Sequence, residues 1–245
     1  MGNIMDKKIL RWTAMGVIIA IIIGLSGFAG YTIRDDVAPI VVELWNRESI
    51  FEEDFDISVF LVEERRNGVY SGEILNDDRN GFGVFRSNEG HVFLGNWEND
   101  TQTSGILKHS NGDVYIGAFR NGRRHGEGVM IYANNEIYLG EWRNDIRNGT
   151  GFYFHLHDVT FLGLWVDNVR NGEGISMWAD GSTFEGYWVN GSVNGEGIHS
   201  FANGRYHICN WVDGEKVGEI RCYNADGSLC CIRQVNSEQD NLGDY

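Results

Sequence analysis

Five cationic side chains recur along the sequence at multiples of about 23 residues, and their type and spacing could bind a ligand. They are Arg79, Arg124, Arg147, Arg170 and Lys216. At one position of equivalent hairpin turns, such cations would form a ridge on one sheet edge that could hold an anionic partner. The alternative is ion pairing between neighbouring units. Carboxylates suited to it stand three residues further on, at Glu127, Glu173, Glu196 and Glu219.

The sequence lacks the residue patterns that are typical of common enzyme active sites. It contains no phosphate-binding loop, no His-Glu-x-x-His and no Gly-x-Ser-x-Gly element. We therefore predict no enzyme activity, no catalytic residue and no cofactor. His155 and His157 are spaced to share a strand face, but no carboxylate or third histidine is placed to join them, so no metal site is predicted.

The four cysteines cluster near the C-terminus, at Cys209, Cys222, Cys230 and Cys231. None forms a Cys-x-x-Cys element, so zinc and thioredoxin-type chemistry are not expected. In an oxidising compartment one or two disulfides would close the end of the chain; elsewhere these are ordinary small residues. Four cysteines allow three pairings, and the adjacent Cys230 and Cys231 are not expected to pair with each other.

A repeat of about 23 residues must position all of these side chains. Its anchor is a glycine in six copies and a cysteine in the seventh. The anchors are Gly72, Gly95, Gly117, Gly140, Gly163, Gly186 and Cys209. An aromatic residue usually stands two positions before the anchor and another two after it, as in the fifth copy, Thr160 to Ser182. Positions two apart share a strand face, so these rings and the glycine point the same way.

A second element, Gly-x-Gly, follows nine residues after most anchors, and polar turns rich in Asn and Gly separate the two elements. Asn and Gly adopt positive φ at little cost, which favours tight hairpins. Each copy is therefore predicted to be a two-stranded hairpin. Seven in series give an all-β fold, an elongated single-layer antiparallel meander of about 14 strands.

The Tyr-x-Gly-x-Trp and Gly-x-Gly elements at this period resemble the MORN repeat (membrane occupation and recognition nexus). The resemblance covers residues 69–228, and the third copy, with its His-Gly-x-Gly at His125, matches best. The second copy departs through a deletion that puts Thr103 at a glycine position, and the seventh has Cys209 as its anchor. We interpret the degenerate seventh copy as the C-terminal cap. The resemblance implies a binding scaffold, a link to phosphoinositides and possible homodimers.

The repeated aromatic residues have two interpretations. They are Tyr70, Trp97, Tyr115, Tyr138, Trp142, Trp165, Trp188 and Trp211. Rings at equivalent positions could stack from copy to copy as the core of the sheet, which their packing over glycine favours. Alternatively, a solvent-facing row of rings could bind glycan chains.

The first part of the chain is predicted to anchor it in a membrane. Residues 12–33 carry no charge and are long enough to span the hydrocarbon layer as a helix. Lys7, Lys8 and Arg11 precede them, so residues 1–11 should be a cytoplasmic tail, with the repeats on the extracytoplasmic side. A signal peptide cut after Ala29 is the alternative. Residues 34–68 would form a linker and N-terminal cap, and 229–245 a C-terminal tail.

The charge balance limits the partners. The chain has 20 Lys and Arg against 35 Asp and Glu, a net charge of −15. This excludes nucleic acid as a partner and opposes broad adhesion to anionic lipid. The sequence thus predicts a membrane-anchored scaffold that binds an unknown protein partner without catalysis. Alternatives are a glycan or cell-wall binding module, local anionic-lipid binding through the arginine ridge, and a regulatory domain for an enzyme in a partner chain.

Overall fold

A computed structural model of the chain describes residues 62–155 and 159–235. These residues form one antiparallel sheet of 16 strands, and each strand pairs with the next along the chain. The first eight are β1 (Val62–Arg65), β2 (Gly68–Leu75), β3 (Asp78–Ser87), β4 (Val92–Glu98), β5 (Thr101–Lys108), β6 (Val114–Arg120), β7 (Arg123–Ile131) and β8 (Ile137–Arg143). The others are β9 (Ile146–Phe154), β10 (Thr160–Val166), β11 (Val169–Met177), β12 (Thr183–Val189), β13 (Ser192–Ser200), β14 (Tyr206–Val212), β15 (Glu215–Tyr223) and β16 (Leu229–Gln234).

The predicted single-layer antiparallel meander is confirmed for these residues, with one strand at each end beyond the 14 strands of the seven repeats, and β1 lies within the predicted N-terminal cap. β1 precedes the first repeat, and β16 follows the seventh. Leu229–Gln234, at the start of the predicted C-terminal tail, form β16 and pair with β15. The seventh copy is consequently an inner hairpin, and β16 forms the C-terminal edge. Its Leu-Cys-Cys-Ile start lacks the apolar–polar alternation that would have identified a strand.

Two-residue turns join the strands within each repeat. Asn76 and Asp77 have φ of 54° and 67°, and Asn144 and Asp145 have 52° and 70°. Positive φ at both central residues defines the type I′ turn, whose twist matches that of the flanking strands. Asn, Asp and Gly occupy these positions because they tolerate the left-handed region. The turn chemistry therefore explains why every repeat closes as a tight hairpin.

The main aromatic cluster of the core lies on one broad face of the sheet, called the ladder face. Its residues pair strand by strand in one register, beginning Tyr70, Phe85, Phe93, Leu107 and Tyr115. Beside them the anchor glycines pair with the second glycine of each Gly-x-Gly, as Gly72 does with Gly83. These glycines are required, because a Cβ on Gly83 would lie 2.3 Å from the Tyr70 hydroxyl oxygen.

Among the described residues no helix is long and apolar enough to cross a membrane. The predicted helix over 12–33, the tail over 1–11 and most of the predicted cap lie outside those residues. So do His157 and the last residues of the predicted tail, 236–245.

Candidate functional site

The repeated cations lie in strands rather than in the turns where the sequence placed them. Arg79 is the second residue of β3, and its guanidinium carbon lies 4.0 Å from the centre of the Trp97 ring in the next repeat. Its backbone N–H and its Nε–H both donate to Oδ1 of Asp100, each at 2.9 Å. Asp100 occupies the turn of that next repeat. One arginine thus joins two repeats by an ion pair and a cation–π contact, an arrangement we call a clasp.

Two further clasps repeat this geometry. Arg124 donates to Asp145 through its backbone N–H and Nε–H, both at 3.0 Å, and lies 4.4 Å from the Trp142 ring centre. Arg147 donates to Asn168 and lies 4.5 Å from the Trp165 ring centre. The partners of these arginines are turn residues 21 positions later, not the glutamates that the sequence suggested.

The remaining two cations, Arg170 and Lys216, also lie over aromatic rings, but each of these rings belongs to the same repeat as its cation. Arg170 is 4.8 Å from the Phe161 ring centre, and the Nζ atom of Lys216 is 5.6 Å from that of Trp211. The turn facing Arg170 carries Gly191, which has no side chain to accept a hydrogen bond. All five cations therefore pack against the ladder face and do not project as an open row.

The aromatic residues form one continuous cluster on the ladder face. Trp97, Trp142, Trp165 and Trp188 are only 2–4% exposed, and Trp211 is partly buried. Neighbouring rings meet edge to face, as Tyr138 does with Trp142 at 5.1 Å. Burial raises the pKa of Tyr70 to about 12. With their faces covered by arginines and neighbouring rings, the buried tryptophans offer no flat track on which a sugar could stack.

An open groove of about 580 Å³ lies along repeats two to four. Its walls include His91 and His109, whose ring centres are 5.4 Å apart, together with Tyr132 and the clasp residues Arg124 and Arg147. Burial lowers the pKa of His109, and the neighbouring His91 lowers it further. The groove is polar, and its charged groups are engaged by ring contacts, by the clasps and, at Asp113, by hydrogen bonds from the Ala133 backbone N–H and the Asn111 amide.

The histidine and cysteine candidates are placed as follows. His155 pairs with Glu136 at 2.7 Å, and no group of three metal-binding side chains occurs among the residues that the structure describes. Cys222 and Cys231 are cross-strand partners on the ladder face and pack together with Cys209. All four thiols are free in this structure, and Cys230 is exposed.

The face of the sheet opposite the ladder carries a second register row. Val84, Leu94, Ile106, Ile116 and Val129 pair in succession and are buried. Further along, the same row passes through residues that are half-buried or exposed. These are Leu139, Phe152, Leu162, Ile175, Glu185, Ile198, Ile208, Arg221 and Ile232, of which Phe152 alone is buried.

The last three repeats expose large apolar side chains on this opposite face. By strand alternation, five residues of β10, β12 and β14 point there, and each is 39–52% exposed. We call them the apolar patch: Leu164, Val166, Tyr187, Val189 and Val212. Sequence reasoning missed this patch, although a signal was present. Three residues after the anchor, Glu98, Arg120 and Arg143 of the middle repeats give way to valines in the last three.

Comparison with known families finds five MORN repeats in the chain. The matched stretches are residues 70–92, 115–137, 138–154, 161–183 and 184–204. The second and seventh copies, which depart most from the pattern, lie outside these matches. A search of curated proteins finds no match.

Solved structures to which this chain is similar include a TCP domain and a TCP10 domain. One is the SAS-4 (dCPAP) TCP domain of Drosophila melanogaster, in complex with a proline-rich motif of Ana2 (dSTIL). It is 11% identical, with a TM-score of 0.44, over 63% of this chain and 85% of that chain. The other is a mutant TCP10 domain of Danio rerio CPAP, 11% identical with a TM-score of 0.42, over 71% and 94%. Neither supplies a partner for this chain.

Proposed function

We propose that this MORN-repeat chain is a membrane-anchored scaffold that binds a protein partner on its sheet and carries out no catalysis. The observation that carries the proposal is the apolar patch of Leu164, Val166, Tyr187, Val189 and Val212, which is left exposed by the last three repeats. Several large apolar side chains exposed on one face of an ordered surface are typical of a protein interaction site. Tyr187 would be its main anchor, since tyrosine is enriched among residues that dominate binding energy.

The ladder face supports this role by holding the surface rigid. The clasps of Arg79, Arg124 and Arg147 fix successive repeats to one another, and the aromatic rings interlock along the sheet. A partner that meets a preorganised surface loses less conformational entropy on binding. The ladder face would therefore stabilise the array of repeats, and the opposite face would bind the partner.

Site-specific photo-crosslinking in the cells that make this chain tests the proposal. A photoreactive amino acid at position 189 should give one discrete, protease-sensitive adduct. The same amino acid at position 143 is the matched control, because Arg143 stands at the equivalent position of the fourth repeat, outside the patch. Equal adducts at both positions, or no protein adduct at 189, would contradict the proposal. An adduct with twice the mass of the chain would identify the partner as a second copy.

The membrane anchor over 12–33 and the extracytoplasmic position of the repeats form the second part of the proposal. The uncharged stretch and the preceding cations Lys7, Lys8 and Arg11 support it. An impermeant thiol reagent should label the exposed Cys230 in intact cells after reduction, or after opening only the compartment that encloses the repeats. A Cys230→Ser variant controls for the buried thiols. Labelling restricted to the cytosolic side would reverse the topology.

A further inference from the structure

Charge is distributed unevenly between the two faces of the last three repeats. The cations Arg170 and Lys216 lie over rings of the ladder face. Arg233 also lies on the ladder side, where it donates to Cys222 Sγ, and the exposed Arg205 directly precedes β14. Of the cations in the described stretch 159–235, the register places Arg221 on the opposite face, where it pairs with Glu196 at 2.6 Å. The strands of these repeats therefore direct most of their positive charge toward the ladder face, and carboxylates outnumber cations on the opposite face.

Exposed glutamates on the opposite face lie among the apolar patch. Glu173 is the cross-strand partner of Tyr187, and Glu185 lies between Ile175 and Ile198 in the register row. The set continues through the seventh repeat and comprises Glu173, Glu185, Glu196 and Glu219. Carboxylates alternating with aliphatic and aromatic side chains form a surface that is both apolar and negatively charged.

We propose that this surface binds a basic amphipathic helix of a partner protein. The inference rests on the proposed function and specifies the chemistry of the partner. A helix packed on a sheet face is one of the common ways in which an apolar sheet surface is covered. Its apolar stripe would cover Val166, Tyr187 and Val189, while flanking Lys or Arg side chains would pair with Glu173 and Glu185. An anionic membrane or a nucleic acid would be repelled by the same carboxylates.

Binding of model peptides to the full chain tests this charge preference. The chain is placed in nanodiscs of neutral phosphatidylcholine, and binding of a fluorescent Leu/Lys peptide of about 18 residues, long enough to form a helix, is measured by anisotropy. The comparison peptides are a Leu/Glu helix and a shuffled Leu/Lys sequence with no amphipathic face. Empty nanodiscs give the lipid background. We expect the amphipathic Leu/Lys peptide alone to bind above background, and to weaken as salt rises.

Charge reversal assigns the binding to the surface. The double substitution Glu173→Lys and Glu185→Lys should weaken binding by about tenfold or more, because it replaces two attractions with repulsions. Glu127→Lys is the matched control, since Glu127 occupies in the third repeat the position of Glu173 in the fifth, and should change binding by less than about twofold. Tyr187→Ser should also weaken binding by about tenfold. Unchanged circular dichroism and thermal midpoints show that the variants fold.

Each outcome decides one point. Equal effects of Glu127→Lys and the double substitution, or equal binding of the Leu/Glu peptide, would overturn the inference of a basic partner. If photo-crosslinking at position 189 still captures a protein, the proposed function survives that result and the partner is of different chemistry. Loss of both signals would remove the binding surface altogether.

Discussion

The glycines beside the ladder are the residues least open to change. A Cβ on Gly83 would collide with the ring and hydroxyl of Tyr70, which is fully buried and donates a hydrogen bond to the Glu73 carbonyl. Neither the glycine backbone nor the tyrosine ring can move away, because the ring is packed between two repeats. The tyrosine and the glycine therefore constrain each other, and this explains at atomic level why the two residue types recur together.

We expect Gly83→Ala to lower the free energy of unfolding by about 3 kcal/mol, as overpacking of a dense core does. Gly122→Ala is the control, because no atom lies within 4 Å of the added methyl group. Its positive φ of 71° should still cost about 1 kcal/mol. Urea unfolding followed by tryptophan fluorescence measures both. Equal losses would show that contact with the Tyr70 ring is not what makes glycine necessary at position 83.

One clasp aspartate, Asp100, should make stability depend on pH. The backbone N–H and guanidinium of Arg79 lower the pKa of Asp100 below its ordinary value of 3.8. A lowered pKa in the folded state contributes stability at neutral pH that is lost as the pH falls below 3.8 through the folded value. Asp100→Asn should remove this acid-sensitive component while keeping the hydrogen bonds, as Asn168 does for Arg147.

Thermal midpoints of the two proteins between neutral and strongly acidic pH provide the measurement. The wild-type chain should lose its advantage over Asp100→Asn as the carboxylate becomes protonated. Parallel curves over the whole range would mean that the clasp draws no stability from the charge of Asp100.

At the scale of the hairpin, the C-terminal strands offer one disulfide pairing above the others. Cys222 and Cys231 are cross-strand partners on the ladder face, whereas Cys230 lies at the register shift between the pairs Cys222–Cys231 and Tyr223–Leu229 and has no register partner in β15. Contact with Cys222 raises the pKa of the Cys231 thiol. Among the three cysteine pairings that the sequence leaves open, the strand register thus favours the one that contains Cys222–Cys231.

In an oxidising compartment we expect Cys222–Cys231 to be the disulfide that forms, tying the edge strand β16 to β15. Peptide mapping by mass spectrometry without reduction identifies the bond. Cys231→Ser should abolish it and Cys230→Ser should leave it intact. A bond from Cys209 or Cys230 in the wild-type chain would contradict the expectation.

The sequence predicts the ladder face of the sheet better than the opposite face. The period, the parity of the aromatics and the Asn-Gly turns predict the hairpins and the ladder face, since these depend on local spacing. The clasps were missed because Arg79 and Asp100 stand 21 residues apart and meet only through sheet register. The apolar patch was missed for a related reason. Val166, Val189 and Val212 look like ordinary strand residues in the sequence, and only the structure shows that they are exposed on the opposite face.

At the scale of the whole sheet, each of the 16 strands that the structure describes pairs with the next along the chain, in a single file. Stability in such arrays is close to a sum of local terms, so damage should stay local. Trp188→Ala removes a ring that meets Phe161 and Phe184, at 5.0 and 5.3 Å. We expect faster amide hydrogen exchange in β10–β15 with little change in β2–β5.

Trp97→Ala provides the mirror control, with faster exchange in β2–β7 and an unchanged C-terminal half. Hydrogen–deuterium exchange mass spectrometry resolves both patterns. Acceleration spread evenly along the chain in either variant would show that the sheet unfolds as one cooperative unit.

The one-file strand order also has a mechanical consequence. β1 and β16 are the two edges of the sheet, and the inter-strand hydrogen bonds run across the strands, along the line that joins those edges. Tension between the edges therefore loads the hydrogen bonds of successive strand pairs in series. The strand pairs open one after another, instead of many bonds being sheared at once. Held at one edge by a fixed support and pulled at the other, the sheet would lengthen in steps of one hairpin, as an extensible tether between two attachment points.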